Sequence, residues 1–144
     1  MCSSDLAASV PAERETYRYA PGKWSIREVL GHVADGERVF GYRAFNISRG
    51  EQTPLPGFDE KAYVERSGYD ARALADLAGE FAAVREANLA FLRRLGSQAW
   101  SLTGNANGAV VSVRALAFIM AGHVRHHLGV LRSRYGLAGS QPLR

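Results

Sequence analysis

The chain of 144 residues has one cysteine, Cys2, which excludes an internal disulfide and a thiolate-based metal site. It has no apolar run near the roughly 20 residues that a membrane span requires. Its start, "MCSSDLAASV", lacks the basic first region and continuous apolar stretch of a secretory signal, so the expected location is cytoplasmic, without membrane association. No phosphate-cradling glycine loop, no G-x-S-x-G motif and no βαβ alternation occur, which removes nucleotide folds and serine hydrolases of that type. Basic residues exceed acidic ones, 18 against 14, but they are spread along the chain with no basic run interleaved with aromatics, so nucleic acid is not an expected partner.

What the sequence does have is helix punctuation. Ser25 and Glu28 form a capping-box pattern ahead of Ile26, Val29, Leu30, Val33, Phe40, Ala44 and Ile47, which predicts a helix over about 25–48. Pro54, Pro56 and Gly57 mark a long connection in which "DEKAYVER" forms a short helical piece. Asp70 is the expected N-cap of a second long helix with Leu74, Leu77, Phe81, Val84, Leu92 and Leu95 on one face, stopped by Gly96. Asn107-Gly108 signals a tight hairpin, and Ser112 and Gly136 bracket a last helix over about 113–135. The fold class is all-α, an antiparallel bundle in a single domain over 1–144.

Three of the four histidines lie in "HVRHH", residues 123–127. At ~100° per residue, with Val124 at the core centre, His127 lies ~60° and His123 ~100° to the same side, while His126 faces outward. On the first helix, centred on Val33, His32 also stands ~100° from the centre, and Gly36 one turn later leaves room beside it. Two helices therefore offer imidazoles from comparable edges, as a three-nitrogen metal centre with open positions requires. Val124 stands where a zinc protease of the H-E-x-x-H type carries its glutamate, so protease chemistry is not expected. Catalysis would come from the metal as a Lewis acid, or from its lowering the pKa of a bound water or thiol. Three imidazoles suit zinc, nickel, copper or iron alike. Arg43, farther along the same stripe, is a candidate anion contact. Asp35 is turned from the core and read as a solvated acid, and Trp24 and Trp100 are read as packing residues.

The segments "RYAPGKWSIREVLGHVADGERVFGYRAF", "PLPGFDE" and "SVRALAFIMAGHVRHHLGVLRSRYG" resemble the DinB-like superfamily over residues 17–136, in particular its small bacterial members. The resemblance implies a four-helix up-down-down-up bundle, commonly a homodimer. It also implies a divalent ion, zinc or nickel foremost with manganese or iron as further options, held by His32, His123 and His127. It further implies an enzyme acting on a small-molecule substrate: a transferase delivering a low-molecular-weight thiol of the bacillithiol or mycothiol type to an electrophile, or a related hydrolase. A non-catalytic metal- or ligand-binding module of the stress response is the alternative. Residues 1–16 are expected to be a foreign stub plus the remnant of a truncated first helix, and 137–144 a tail.

Overall fold

The computed structural model describes residues 8–137. Among the described residues four α-helices with full bounds carry the fold: α1 Ile26–Ser48, α2 Glu60–Ser67, α3 Leu74–Leu92 and α4 Val113–Tyr135. The α1 start is as the sequence dictates. Ser25 Oγ accepts from Glu28 N at 3.0 Å and Glu28 Oε2 accepts from Ser25 N at 2.8 Å, so two of the end's orphan N–H groups are satisfied reciprocally. The end of α4 is equally local: Gly136 takes the left-handed conformation, φ 66°, that only glycine adopts without strain, and Ser112 Oγ caps the start through Ala115 N.

The ends of α3 differ from expectation. Asp70 does not cap it, because its carboxylate accepts from Ser25 Oγ at 2.5 Å and from Arg18 Nη2 at 2.7 Å. Residues Tyr69–Ala71 form a separate 3₁₀ turn, and the first amide of α3, Leu74 N, is capped by Glu15 Oε2 at 3.1 Å. At the other end α3 stops at Leu92, short of Gly96. Arg94 N and Leu95 N bond three residues back to Phe91 O and Leu92 O, tightening the chain out of the α-helix, and Gly96 keeps an ordinary φ of −64°.

Between α3 and α4 lies the hairpin β1 Thr103–Ala106 and β2 Ala109–Ser112, turned by Asn107 and Gly108 with φ 55° and 79°, the type I′ signature. Leu55 adds an isolated parallel bridge to Ala106, which pins the loop between α1 and α2.

The central element is α1, which packs against both α3 and α4. One core cluster surrounds Ile26, Leu30, Leu77 and Leu131 at one end; another surrounds Ala44, Ile47, Val113 and Leu116 at the other. Val10 and Leu137 are buried in the first cluster, and Arg14 Nη2 donates to Tyr135 O at 2.7 Å, so the residues flanking 17–136 on both sides are knitted into the domain. Residues 1–7 of the expected stub and helix remnant, and residues 138–144 of the tail, lie outside the described residues. No helix among the described residues is long and apolar enough to cross a membrane.

Candidate metal centre

His32 projects from α1, and His123 and His127, four residues apart, project from α4 on one face. The helix packing brings them together: ring centroids are 4.9 Å (His32 to His123), 4.8 Å (His32 to His127) and 4.6 Å (His123 to His127) apart. His32 Nε2 and His123 Nε2 stand 3.0 Å apart, and one nitrogen from each of the three rings lies within 4.8 Å of the others.

Local sequence explains the convergence. A Cβ on Gly36 would sit 2.5 Å from His123 Cε1 and 2.9 Å from its Nδ1, so the missing side chain is what lets the imidazole lie against α1. The room expected at Gly36 is thus filled by the third ring itself. Gly36→Ala must push His123 aside, and it is expected to weaken divalent-metal binding at least tenfold while far-ultraviolet circular dichroism stays helical. Competition with a chromophoric chelator measures it.

The environment keeps these rings neutral. Burial, then the neighbouring His123, pushes His32 down from 6.5 to about 4. Burial and the three other imidazoles push His127 to about 3, and burial lowers His123 as well. Neutral imidazole is the ligand form. Three neutral rings cannot satisfy one another: one N–H···N bond spends two of the converging nitrogens and leaves a third lone pair facing them, whereas a cation accepts all three. His32 Nδ1 is buried without a hydrogen-bond partner, so nothing on its far side fixes the tautomer. The donor set therefore suits a borderline divalent ion, which three protein ligands would hold with room for water or substrate in its coordination sphere.

Beside the cluster, reached through His127, is a cavity of about 600 Å³ whose walls include Trp24, Glu60, Lys61, His126, His127 and Tyr135. Trp24 is more than a packing residue. Its ring lies 4.8 Å from His32 and forms a wall beside the histidines, held by the Tyr135 hydroxyl donating to Trp24 O at 2.6 Å. His126 is exposed, as its wheel position requires, yet it borders the same cavity. Trp100 packs at the far core cluster, in keeping with its reading. Arg43 does not line this cavity; it faces a different one. Asp35 is half-buried rather than solvated; the Tyr69 hydroxyl donates to it, and burial raises its carboxyl pKa.

Two features escaped the sequence reading. Glu60, in the first turn of α2, brings Oε2 to 4.0 Å from His32 Nε2, a placement that depends on where α2 docks. Glu37 is 1 % exposed and held bidentately by Arg85, Nε to Oε1 at 2.8 Å and Nη2 to Oε2 at 2.7 Å, with Asn88 Nδ2 donating to Oε1 at 3.0 Å. Arg85 Nη2 also reaches Met120 O at 3.3 Å, one turn before His123, so this network ties α1, α3 and α4 together beneath the histidines. Its signal was present: on the α1 wheel Glu37 falls ~40° from the core centre, a charge inside the apolar stripe.

A helical bundle that gathers three imidazoles from two helices beside a cavity is the class this fold and site define. The chain belongs to the DinB superfamily, whose model matches residues 3–131. Among solved structures it is similar to Bacillus subtilis YfiT, described as a probable metal-dependent hydrolase with an unusual four-helix bundle topology. The TM-score is 0.72 with 19 % identity over 94 % of this chain and 85 % of that one. It is similar to a mycothiol-dependent maleylpyruvate isomerase, with TM-score 0.68 and 18 % identity over 88 % of this chain, which spans 53 % of that protein's length. A DinB-like protein of Bacillus subtilis, YjoA, gives TM-score 0.64 with 22 % identity over 99 % of this chain and 87 % of that one. No curated protein sequence matches at a significant level. The four-helix bundle expected from the sequence is thus the observed fold, and the hairpin signalled by Asn107-Gly108 is present in it.

Proposed function

We propose that His32, His123 and His127 hold one divalent ion, zinc or nickel first, and that the protein is a cytoplasmic enzyme joining a low-molecular-weight thiol to an electrophilic small molecule. The observation that carries this reading is the convergence of three neutral imidazoles, one of which, His127, lines a cavity large enough for a small organic substrate. A divalent cation in such a site supplies Lewis acidity and makes a thiolate or hydroxide available at neutral pH. The chain's own residues do the rest. The Trp24 ring shields His32 from water, Glu60 Oε2 is placed to hold a proton released beside the histidines, and Lys61 borders the cavity where an anionic thiol enters.

A second reading, metal-dependent hydrolysis, is favoured by the likeness to YfiT, and the same site chemistry would serve it with water in place of thiol. One experiment separates them. Metal-loaded protein is given a chromogenic electrophile with and without bacillithiol or mycothiol, beside a chromogenic ester alone. The thiol reading expects turnover that depends on the thiol and disappears in His123→Ala. Ester cleavage without thiol supports the hydrolase, and bound metal with neither activity leaves a non-catalytic metal-binding module.

A further inference from the structure

Among the described residues one carboxylate and one guanidinium are more than nine-tenths buried: Glu37 and Arg43. Their situations are opposite. Glu37 has Arg85 and Asn88 around it, as a buried charge requires. Arg43 has no carboxylate within ion-pair distance among the described residues. Its Nη2 donates to Pro56 O at 2.9 Å, its Nε has no partner, and the Phe40 ring centroid lies 6.0 Å from its Cζ. A carbonyl carries only a partial charge, so one such bond leaves most of a desolvated cation uncompensated. Burial accordingly pulls the Arg43 pKa below the ordinary guanidinium range.

Beside this guanidinium is a cavity of about 270 Å³ that shares no wall residue with the histidine cavity. Its walls include Val39, Pro56, Phe58, Tyr42 and Tyr63, together with Arg38. No acidic residue among the described residues lines it. Arg38 is partly neutralised by Glu80, 2.8 Å away, which leaves Arg43 as the cation without a counter-charge. The walls are also held in place. Leu55 pairs with β1 just before Pro56, and Phe58 packs on Tyr63 at 5.4 Å between centroids.

We propose that this cavity is a second ligand site, in which Arg43 takes the carboxylate of a small organic acid whose apolar body lies against Val39, Phe58 and Tyr63. A planar carboxylate matches a guanidinium edge, and apolar and aromatic walls match a single ring or short chain. Inorganic phosphate fits less well, since it offers nothing to those walls and asks for more donors than one guanidinium already spent on Pro56 O can give. The volume is at the small end for ligand pockets, which limits the body to roughly one ring. This site needs neither the metal nor any of the three histidines.

The test titrates the full chain, in the presence of a chelator, with benzoate, with benzamide as its uncharged counterpart, and with inorganic phosphate, followed by protein-observed NMR. Saturable benzoate binding is expected, with shifts at Arg43, Tyr63 and Phe58 and none for benzamide. Two variants remove it by different routes. Arg43→Lys takes away the fork, and Val39→Trp fills the cavity while leaving the Arg43 to Pro56 bond in place, so the second decides the matter if the first fails to fold. Each is expected to weaken benzoate at least tenfold, while His32 and His123 resonances stay unmoved. Absence of saturable binding, phosphate binding in place of benzoate, or benzoate binding that survives Val39→Trp would each overturn the proposal and leave Arg43 as a strut for the Pro56 loop.

Discussion

Arg85→Ala is expected to cost the domain about 3–5 kcal/mol, the largest effect of any single substitution on the surface of α3, because it strands the Glu37 carboxylate in the interior. Three helices lose a shared fastener at once: the two bonds to Glu37 on α1 and the bond to Met120 O on α4 both start from that guanidinium. Asn88 alone cannot compensate, since its amide donates to a neutral backbone oxygen and to one carboxylate oxygen without bringing charge. Urea denaturation followed by circular dichroism measures the loss. The double variant Arg85→Met with Glu37→Leu is expected to recover much of it, because an apolar pair of similar volume avoids burying a lone charge. A loss under about 1 kcal/mol in Arg85→Ala would show that Glu37 finds water or another partner.

The second large effect is acid lability of the metal-free protein, reversed by metal. His32 and His127 titrate near 4 and 3 in the folded chain against 6.5 when unfolded, and His123 is shifted the same way. Their folded pKa values are depressed, so between pH 6.5 and about 3 the unfolded chain binds more protons. The stability that comes from keeping these rings neutral is complete above about pH 6.5 and is lost as pH falls through that window. Each tenfold change in proton affinity corresponds to ~1.4 kcal/mol, and after solvent screening at the half-buried His123 and His127 the loss is on the order of a few kcal/mol. A divalent ion at roughly a hundredfold excess over its dissociation constant is expected to add about 2.7 kcal/mol at neutral pH, a rise in Tm of roughly 5–10 °C. That gain should vanish near about pH 4–5, where protons compete for the same nitrogens. Thermal melts across pH, with chelator and with zinc, read both effects. A metal-free chain equally stable at neutral pH and at about pH 4.5 would contradict the buried neutral state of the rings.

Where physical information is local, the sequence carried it. The caps Ser25 with Glu28, Ser112 and Gly136 set their helix ends through near neighbours, and Asn107-Gly108 set the hairpin in the same way. The common side of His32, His123 and His127 was legible because helix geometry is regular, though it could not reveal that α1 and α4 are neighbours. The start of α3 was not legible, since its cap comes from Glu15, 59 residues away, and Asp70 was drawn off by Ser25 and Arg18. Glu60 and Trp24 reach the site only through the docking of α2 and of the segment before α1. The surroundings of Arg43 were equally out of reach: its stripe pointed to the histidines, yet its Nη2 bonds to Pro56 O and it lines a separate cavity.

The most direct measurement is the metal content of protein purified without a histidine tag, beside His32→Ala and His123→Ala. About one divalent ion per chain in the parent, and none in either variant, is the predicted result. A parent chain that takes up no zinc, nickel, manganese or iron when these are supplied to the folded protein would contradict the three-histidine centre. So would uptake that is unchanged in both variants.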